Sequence, residues 1–190
     1  MLTLAADTHV FWITSRAAGV VALLLASLSV CVGLTMGRRL TPSWLRDARM
    51  VHEALSLATI AALVVHGVSL LGDAYMRPSI ADLTVPFASS FGEPWMGIGI
   101  VSGWATVLLG LSYYARVRIG VQRWRTLHRF TALAWLLGLV HSLGQGTDAG
   151  TTWFLVMTGI VAIPALVLLA VRTRGGRTVR TPAPGAVRRA

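Results

Sequence analysis

The chain has 190 residues, 55% of them hydrophobic and only 13% charged, with a mean hydropathy of +0.68. Soluble domains of this size carry about twice that charge, and one ordinary core cannot hide so much apolar surface, which excludes a disordered chain and a soluble enzyme. The formal charge of +10 would suit nucleic acid if read alone, but all 17 basic residues are Arg and 15 of them fall in two loops, the adjoining helix ends and the C-terminal tail. That placement argues for no nucleic acid partner and for contact with membrane lipid. Cys31 is the only cysteine, so no intrachain disulfide can form.

The apolar residues fall in five blocks of about 20, the length that spans a bilayer as a helix. Met1 to Asp7 carries no basic n-region, so the first block reads as a retained span. It covers Val10 to Met36 and is interrupted only by Arg16. The second covers Met50 to Gly72. The connection from Asp73 to Pro94 contains Pro78, Pro86 and Pro94 and reads as an ordered external loop. The third span covers Trp95 to Ala115, the fourth Thr126 to Gln145 and the fifth Thr151 to Val171, where Pro164 predicts a kink. The expected organisation is an all-α membrane bundle: residues 1–8 as an external N-terminus, 9–172 as one transmembrane domain, and 173–190 as a disordered basic cytoplasmic tail.

Arginine placement predicts the orientation. Arg38, Arg39, Arg46 and Arg49 lie between spans one and two. Arg116, Arg118, Arg123, Arg125 and Arg129 lie between spans three and four or just inside the latter, and six more follow span five. The opposite side holds Asp7, Asp73, Asp82, Glu93 and Asp148 against Arg77 alone. With five spans, this puts the N-terminus outside and the C-terminus in the cytoplasm, in the plasma or inner membrane. Trp12, Trp95 and Trp153 then mark the outer interface, and Trp44, Tyr113, Tyr114 and Trp124 the inner one.

An ionisable side chain inside a span is costly and is a functional candidate by default. His52 and His66 lie in span two, His128 and His141 in span four, and both spans run from inside to outside. The step from His52 to His66 is about 21 Å along a helix and that from His128 to His141 about 19.5 Å. His52 is therefore level with His128 near the cytoplasmic side, and His66 with His141 near the outer side. Two layers of paired imidazoles are what two stacked bis-histidine hemes require, with facing helices supplying opposite axial ligands. The angles fit less well, because His66 returns to within about 40° of His52 whereas His141 falls about 140° from His128. Either span four is distorted, with Gly138 a candidate place, or the hemes are rotated relative to one another. The plain alternative is four buried histidines bonded to backbone or hydroxyl groups. A histidine-lined metal transporter is a further rival, but it needs its ligands at one depth, normally with carboxylates, and Glu53 is the only carboxylate within a span.

These spacings resemble the ferric reductase-like transmembrane domain, shared by ferric reductases, NADPH oxidases and the heme subunit of a periplasmic methionine sulfoxide reductase system. Supporting segments are Ser15-Arg16-Ala17-Ala18-Gly19, Val85-Pro86-Phe87-Ala88-Ser89, Trp124-Arg125-Thr126-Leu127-His128-Arg129 and Gly146-Thr147-Asp148. The likeness is strongest to the short bacterial members and covers about residues 9 to 172. It implies two b-type hemes, His52 and His128 binding the inner iron and His66 and His141 the outer, and electron flow from the cytoplasmic to the outer side. Arg16 resembles the arginine that pairs with an outer heme propionate, with snorkelling to the headgroups as its alternative. Arg129 follows His128 and is expected at an inner propionate. Members often carry a basic residue after the first histidine, where this chain has Glu53, so a Glu53–Arg129 pair is an alternative. Trp135 lies about 10 Å further out than His128 on the same face, between the layers, where the family tends to carry an aromatic and where core packing serves equally well. Gly19, Gly67 and Gly138 are candidates for close porphyrin approach.

The function expected is a transmembrane diheme electron-transfer protein, an oxidoreductase component. Its donor is a separate cytoplasmic flavoprotein reductase or membrane quinol, because the residues after Arg172 hold no Gly-rich dinucleotide fingerprint. Its acceptor lies on the outer side, a flavoprotein among the candidates. A heme-binding membrane anchor or sensor without outward electron flow is the alternative class. Oxygen reduction is expected to be poor, since NADPH oxidases carry a further histidine where this chain has Leu70.

Overall fold

A computed structural model describes residues 2–37 and 47–175. Every regular element there is a helix: α1 (Leu2–Gly37), α2 (Ala48–Leu70), α3 (Ile80–Thr84), α4 (Trp95–Leu111), α5 (Arg116–Ile119), α6 (Val121–His128), α7 (Thr131–Gln145) and α8 (Thr152–Gly175). Three stretches are long and apolar enough to cross a membrane, His9–Gly37, Ala48–Leu70 and Thr152–Arg174. α4 is a shorter apolar helix of 17 residues, and α7 has 15. Arg38, Arg39, Trp44 and Arg46, with the tail from residue 176, lie outside the described residues. α8 runs through Pro164 and on to Gly175, past the expected start of the tail.

α1 is the organising helix. It packs along α2 and also meets α8 and α7, while α4 packs chiefly on α7. The core where they converge holds Leu23, Trp135, Leu139, Phe154, Ala162 and Ala165. Large apolar side chains face outward instead, among them Leu108, Ile160 and Ile163, each more than 60% exposed. An apolar exterior around a small core is the pattern of a chain whose solvent is lipid. The chain is a membrane protein.

The fourth apolar block is not one helix. After His128, the N–H groups of Arg129 and Phe130 bond back three residues, to Thr126 (3.3 Å) and Leu127 (2.9 Å), and α7 starts afresh at Thr131. The Thr131 hydroxyl caps the break by donating to the His128 carbonyl at 2.7 Å. The distortion thus lies directly after His128 and not at Gly138. Gly138 stays within a continuous α7, where a Cβ would come 2.9 Å from the Ser102 hydroxyl oxygen. Gly138 is there because α4 and α7 approach closely.

The connection between α2 and α4 is built by local polar bonds. Asp73 accepts from the N–H groups of Tyr75 (2.8 Å) and Met76 (3.3 Å). α3 begins with a capping box: the Ser79 hydroxyl accepts from the Asp82 N–H (3.2 Å), and the Asp82 carboxylate accepts from the Ser79 N–H (2.8 Å). The Ser79 bonds hold the Asp82 carboxyl below its ordinary range. α3 is pinned to α4 by the Trp104 indole, which donates to the Thr84 carbonyl at 2.8 Å.

Candidate cofactor site

Three of the four intramembrane histidines are held in the same way. On α2, His52 Nδ1 lies 2.9 Å from the Ser29 carbonyl oxygen and 3.1 Å from its hydroxyl. His66 Nδ1 lies 2.8 Å from the Ser15 carbonyl and 3.1 Å from the Ser15 hydroxyl. On α7, His141 Nδ1 lies 2.9 Å from the Trp95 carbonyl. An Nδ1–H that donates to a carbonyl fixes the tautomer and leaves the Nε2 lone pair free for a metal.

Each of these carbonyls is followed four residues later by a glycine against which the imidazole lies. A Cβ at Gly33 would come 3.0 Å from the His52 ring, one at Gly19 3.0 Å from the His66 ring, and one at Gly99 2.5 Å from the His141 ring. The missing side chains let each ring sit directly on the neighbouring helix backbone. On α1 the module reads Ser-x3-Gly twice, at Ser15/Gly19 and Ser29/Gly33, with the same 14-residue step as His52 to His66 on α2. That repeat is the signal by which Ser15, Ser29 and Gly33 are recognisable in the sequence. A histidine search alone passes over them and over Gly99.

The histidines meet in two layers. In one, His52 and His128 stand with ring centroids 6.0 Å apart and planes at 89°. Two imidazoles that share one metal through nitrogens at about 2 Å hold their ring centres about 6 Å apart. His128 differs from the other three, because its backbone partner is Leu109 and no glycine lies against its ring. Its contact is aromatic instead: Trp124 stacks on it at 5.0 Å and 26°.

In the other layer, His66 and His141 line one cavity of about 590 Å³, within the size range of cofactor sites. Gly19, Gly67, Gly99, Trp135 and Leu70 also face it. A Cβ at Gly67 would meet nothing within 4 Å, so that glycine opens space rather than admitting a neighbour. Among the described residues no three His, Cys, Asp or Glu side chains gather around a common point. Paired imidazoles, free Nε2 atoms, side-chain-free backbone beside the rings and a large apolar cavity together fit a heme, whose macrocycle fills the remaining iron positions itself.

The other candidate residues sit as follows. Arg16 lines the same cavity, and its guanidinium forms a two-pronged ion pair with the nearly buried Asp148 while standing over the Trp12 ring at 5.0 Å. Asp148, which charge counting places merely on the outer side, therefore belongs to the site. Trp135 is 4% exposed, borders the cavity and donates its indole N–H to the Ser27 hydroxyl at 2.9 Å. It serves the core and faces the site at once. Arg129 is exposed at the break after α6. The Glu53–Arg129 pair does not form; Glu53 accepts instead from the Tyr114 hydroxyl at 2.8 Å.

The family described as ferric reductase like transmembrane component matches residues 18–139, well over half of the chain. The matched stretch holds His52, His66 and His128, and His141 follows two residues after it. No curated protein and no solved structure matches the chain.

Proposed function

The chain belongs to the ferric reductase-like transmembrane family, and from that premise we propose that it is a diheme electron conduit across the plasma or inner membrane. Its membrane location and its family support electron transfer in general; the two b-type hemes, the direction and the partners are our reading of the residues. In this reading the chain crosses five times, with α4 and the α6–α7 unit as the third and fourth crossings. The arginines around α5 and α6, together with Arg172 and Arg174, mark the cytoplasmic side. His52 and His128 then bind the inner heme, and His66 and His141 the outer.

Each bound heme supplies a one-electron ferric/ferrous couple. The protein supplies the rest. Its imidazoles would set the ligand field, the Nδ1–H bonds of His52, His66 and His141 to backbone carbonyls hold those rings in one orientation and raise their basicity, and the apolar walls exclude water. His52 and His66 lie about 21 Å apart along α2, a step that carries the path across most of the hydrocarbon. Trp135 lies between the two layers and keeps that gap dry. Arg16 offers its charge to an outer propionate and is oriented for this by Asp148. Arg129 offers its charge on the inner side. Electrons enter from a separate cytoplasmic flavoprotein or from quinol, and an acceptor on the outer side, a flavoprotein for example, takes them.

The observation that carries this reading is the threefold repetition of one ligand-orienting module, carbonyl plus glycine, on histidines that pair by depth. The test is heme content by pyridine hemochrome against protein. Two hemes per chain are expected, extractable into acidified solvent because no Cys-x2-Cys-His attachment motif is present. One heme would overturn the two-layer reading. In proteoliposomes, reduced heme that soluble acceptors added outside cannot reoxidise would favour the anchor or sensor class over the conduit.

A further inference from the structure

An orphan donor and a cation meet on one side of the His52/His128 pair. Trp124 stacks on the His128 ring, and the Tyr113 ring meets it edge-on at 5.8 Å. These contacts hold the indole through its ring and leave its N–H over. Trp104 and Trp135 donate their indole N–H groups to the Thr84 carbonyl and the Ser27 hydroxyl, as buried tryptophans ordinarily do. The Nε1 of Trp124 is buried and has no partner among the described residues. A buried donor without an acceptor is costly and rare, so this one marks a place for an acceptor from outside the described chain.

The cation is Arg172, near the end of α8. Its guanidinium lies against α1 at Gly37, where a Cβ would come 3.3 Å from one of its nitrogens. It also acts on the His128 ring, as do His52 and the Leu109 backbone. Gly37 is four residues beyond Gly33, which backs His52, and Trp124 is four residues before His128. Each step is about 6 Å along a helix, and in the orientation proposed above both lead toward the cytoplasm. Trp124 and Arg172 thus stand one turn to the cytoplasmic side of the two imidazoles. In the outer layer Arg16 stands over Trp12, but there Asp148 matches its charge. Arg172 makes no ion pair among the described residues, and Glu53, the acid next to His52, accepts from Tyr114.

We propose, resting on the diheme reading above, that Trp124 and Arg172 form the seat for a propionate of the inner heme, the indole N–H donating to it and the guanidinium matching its charge. The propionates are the anionic edge of a heme, and the cytoplasmic side is where this layer meets water. Both residues act as positioning residues. The charge of Arg172 also favours the ferrous state, in which the heme holds one more electron. Arg129 is exposed at the break and contributes at longer range.

The test is a potentiometric titration of the diheme chain, read as two midpoints. Arg172→Gln should make the inner heme about tenfold harder to reduce, which is about 59 mV for one electron. Arg172→Lys should recover most of that loss. Trp124→Phe keeps the stacked ring and loses the N–H. It should lower the same midpoint by less and shift the propionate bending band in the resonance Raman spectrum. Arg16→Gln identifies the outer heme by moving the other midpoint, so no ligand variant is needed. Unchanged midpoints in both Arg172→Gln and Trp124→Phe would overturn the proposal and leave the guanidinium to lipid phosphates. Movement of the midpoint that Arg16→Gln moves, in place of the other, would overturn it as well. Either result leaves two hemes per chain standing, whereas fewer than two hemes in the unmodified chain would overturn the diheme reading and the seat with it.

Discussion

On the α1–α2 side, His52 and His66 stand 14 residues apart on one unbroken helix, and the carbonyls that hold them, from Ser29 and Ser15, stand 14 apart on another. Fourteen residues are nearly four whole turns, so two straight antiparallel helices serve both layers with one repeated module. On the α4 side the histidines are 13 residues apart, which leaves them about 140° out of phase on a straight helix. The chain absorbs that mismatch at Arg129–Phe130, where α6 gives way to α7. His141 keeps its carbonyl and its glycine, whereas no such glycine lies against His128, which stands next to the break with its ring stacked under Trp124. One residue of register separates a doubly anchored pair of ligands from a singly anchored one.

The largest effect expected from disturbing this contrast is at the glycines. Gly99→Val places a branched side chain where even a Cβ would lie 2.5 Å from the His141 ring. It should abolish the heme of the His66/His141 layer and halve total heme. Gly33→Ala, with a 3.0 Å approach to His52, should lower occupancy of the other layer only in part. Hemochrome content against protein ranks the two, and equal losses would deny that the imidazoles rest on these backbones.

A second variant loads the His66/His141 layer alone. Asp148→Asn removes the carboxylate charge from a pair in which Asp148 is 6% and Arg16 38% exposed. A fully buried pair broken on one side costs about 3–5 kcal/mol, and exposure of the arginine reduces this to about 1–2 kcal/mol. The expected readouts are a lower thermal midpoint in detergent and a shifted potential for the outer heme only. A shift in both hemes would show that Arg16 acts on the bundle and not on one layer.

Smaller still is the loss of a serine hydroxyl. Ser29→Ala leaves the carbonyl bond to His52 in place and removes the hydroxyl that touches both His52 and Ser56. A stability loss of about 1 kcal/mol is expected with both hemes retained, and heme loss would mean that the hydroxyl rather than the carbonyl holds the ring.

The smallest effect is expected from pH acting through α3, whose Ile80 and Thr84 also border the cavity. Asp82 has its carboxyl held below the ordinary range by Ser79. Its cap therefore contributes fully above the ordinary carboxylate range and is lost as pH falls through the lower folded value. Acidification should loosen this loop, seen as faster proteolysis between residues 73 and 94, before any change at the His52 layer. Asp82→Asn should remove that acid-side transition.

Much of this was legible in the sequence because the membrane makes polar residues conspicuous. Four histidines among apolar neighbours announce themselves by cost, and the grouping of Arg38 through Arg49 and Arg116 through Arg129 stands out against chains of Leu, Val and Ala. The break after His128 was hidden because neither Arg129 nor Phe130 is a residue that ends helices. Gly138 drew attention as a place for distortion and for porphyrin approach; it carries no break, serves the α4–α7 contact and also lines the cavity of His66 and His141. Asp148 was visible as a charge but not as a partner, since its arginine lies 132 residues away. Gly33 looks like an ordinary small residue of a span until the 14-residue interval from Gly19 ties it to a histidine, and no such interval marks Gly99.

The acceptors for His52, His66 and His141 are main-chain oxygens. A point mutation can exchange a side chain but not erase a carbonyl, so these anchors present almost no target to mutation. A saturation screen scored by cell colour should find its colourless variants concentrated at the histidines and their three glycines, with prolines that break α1 or α4 as the other class. The flanking Leu, Val and Ala positions should drift freely among apolar residues, so that descendants of this chain can lose most of their sequence likeness while the cofactor scaffold persists.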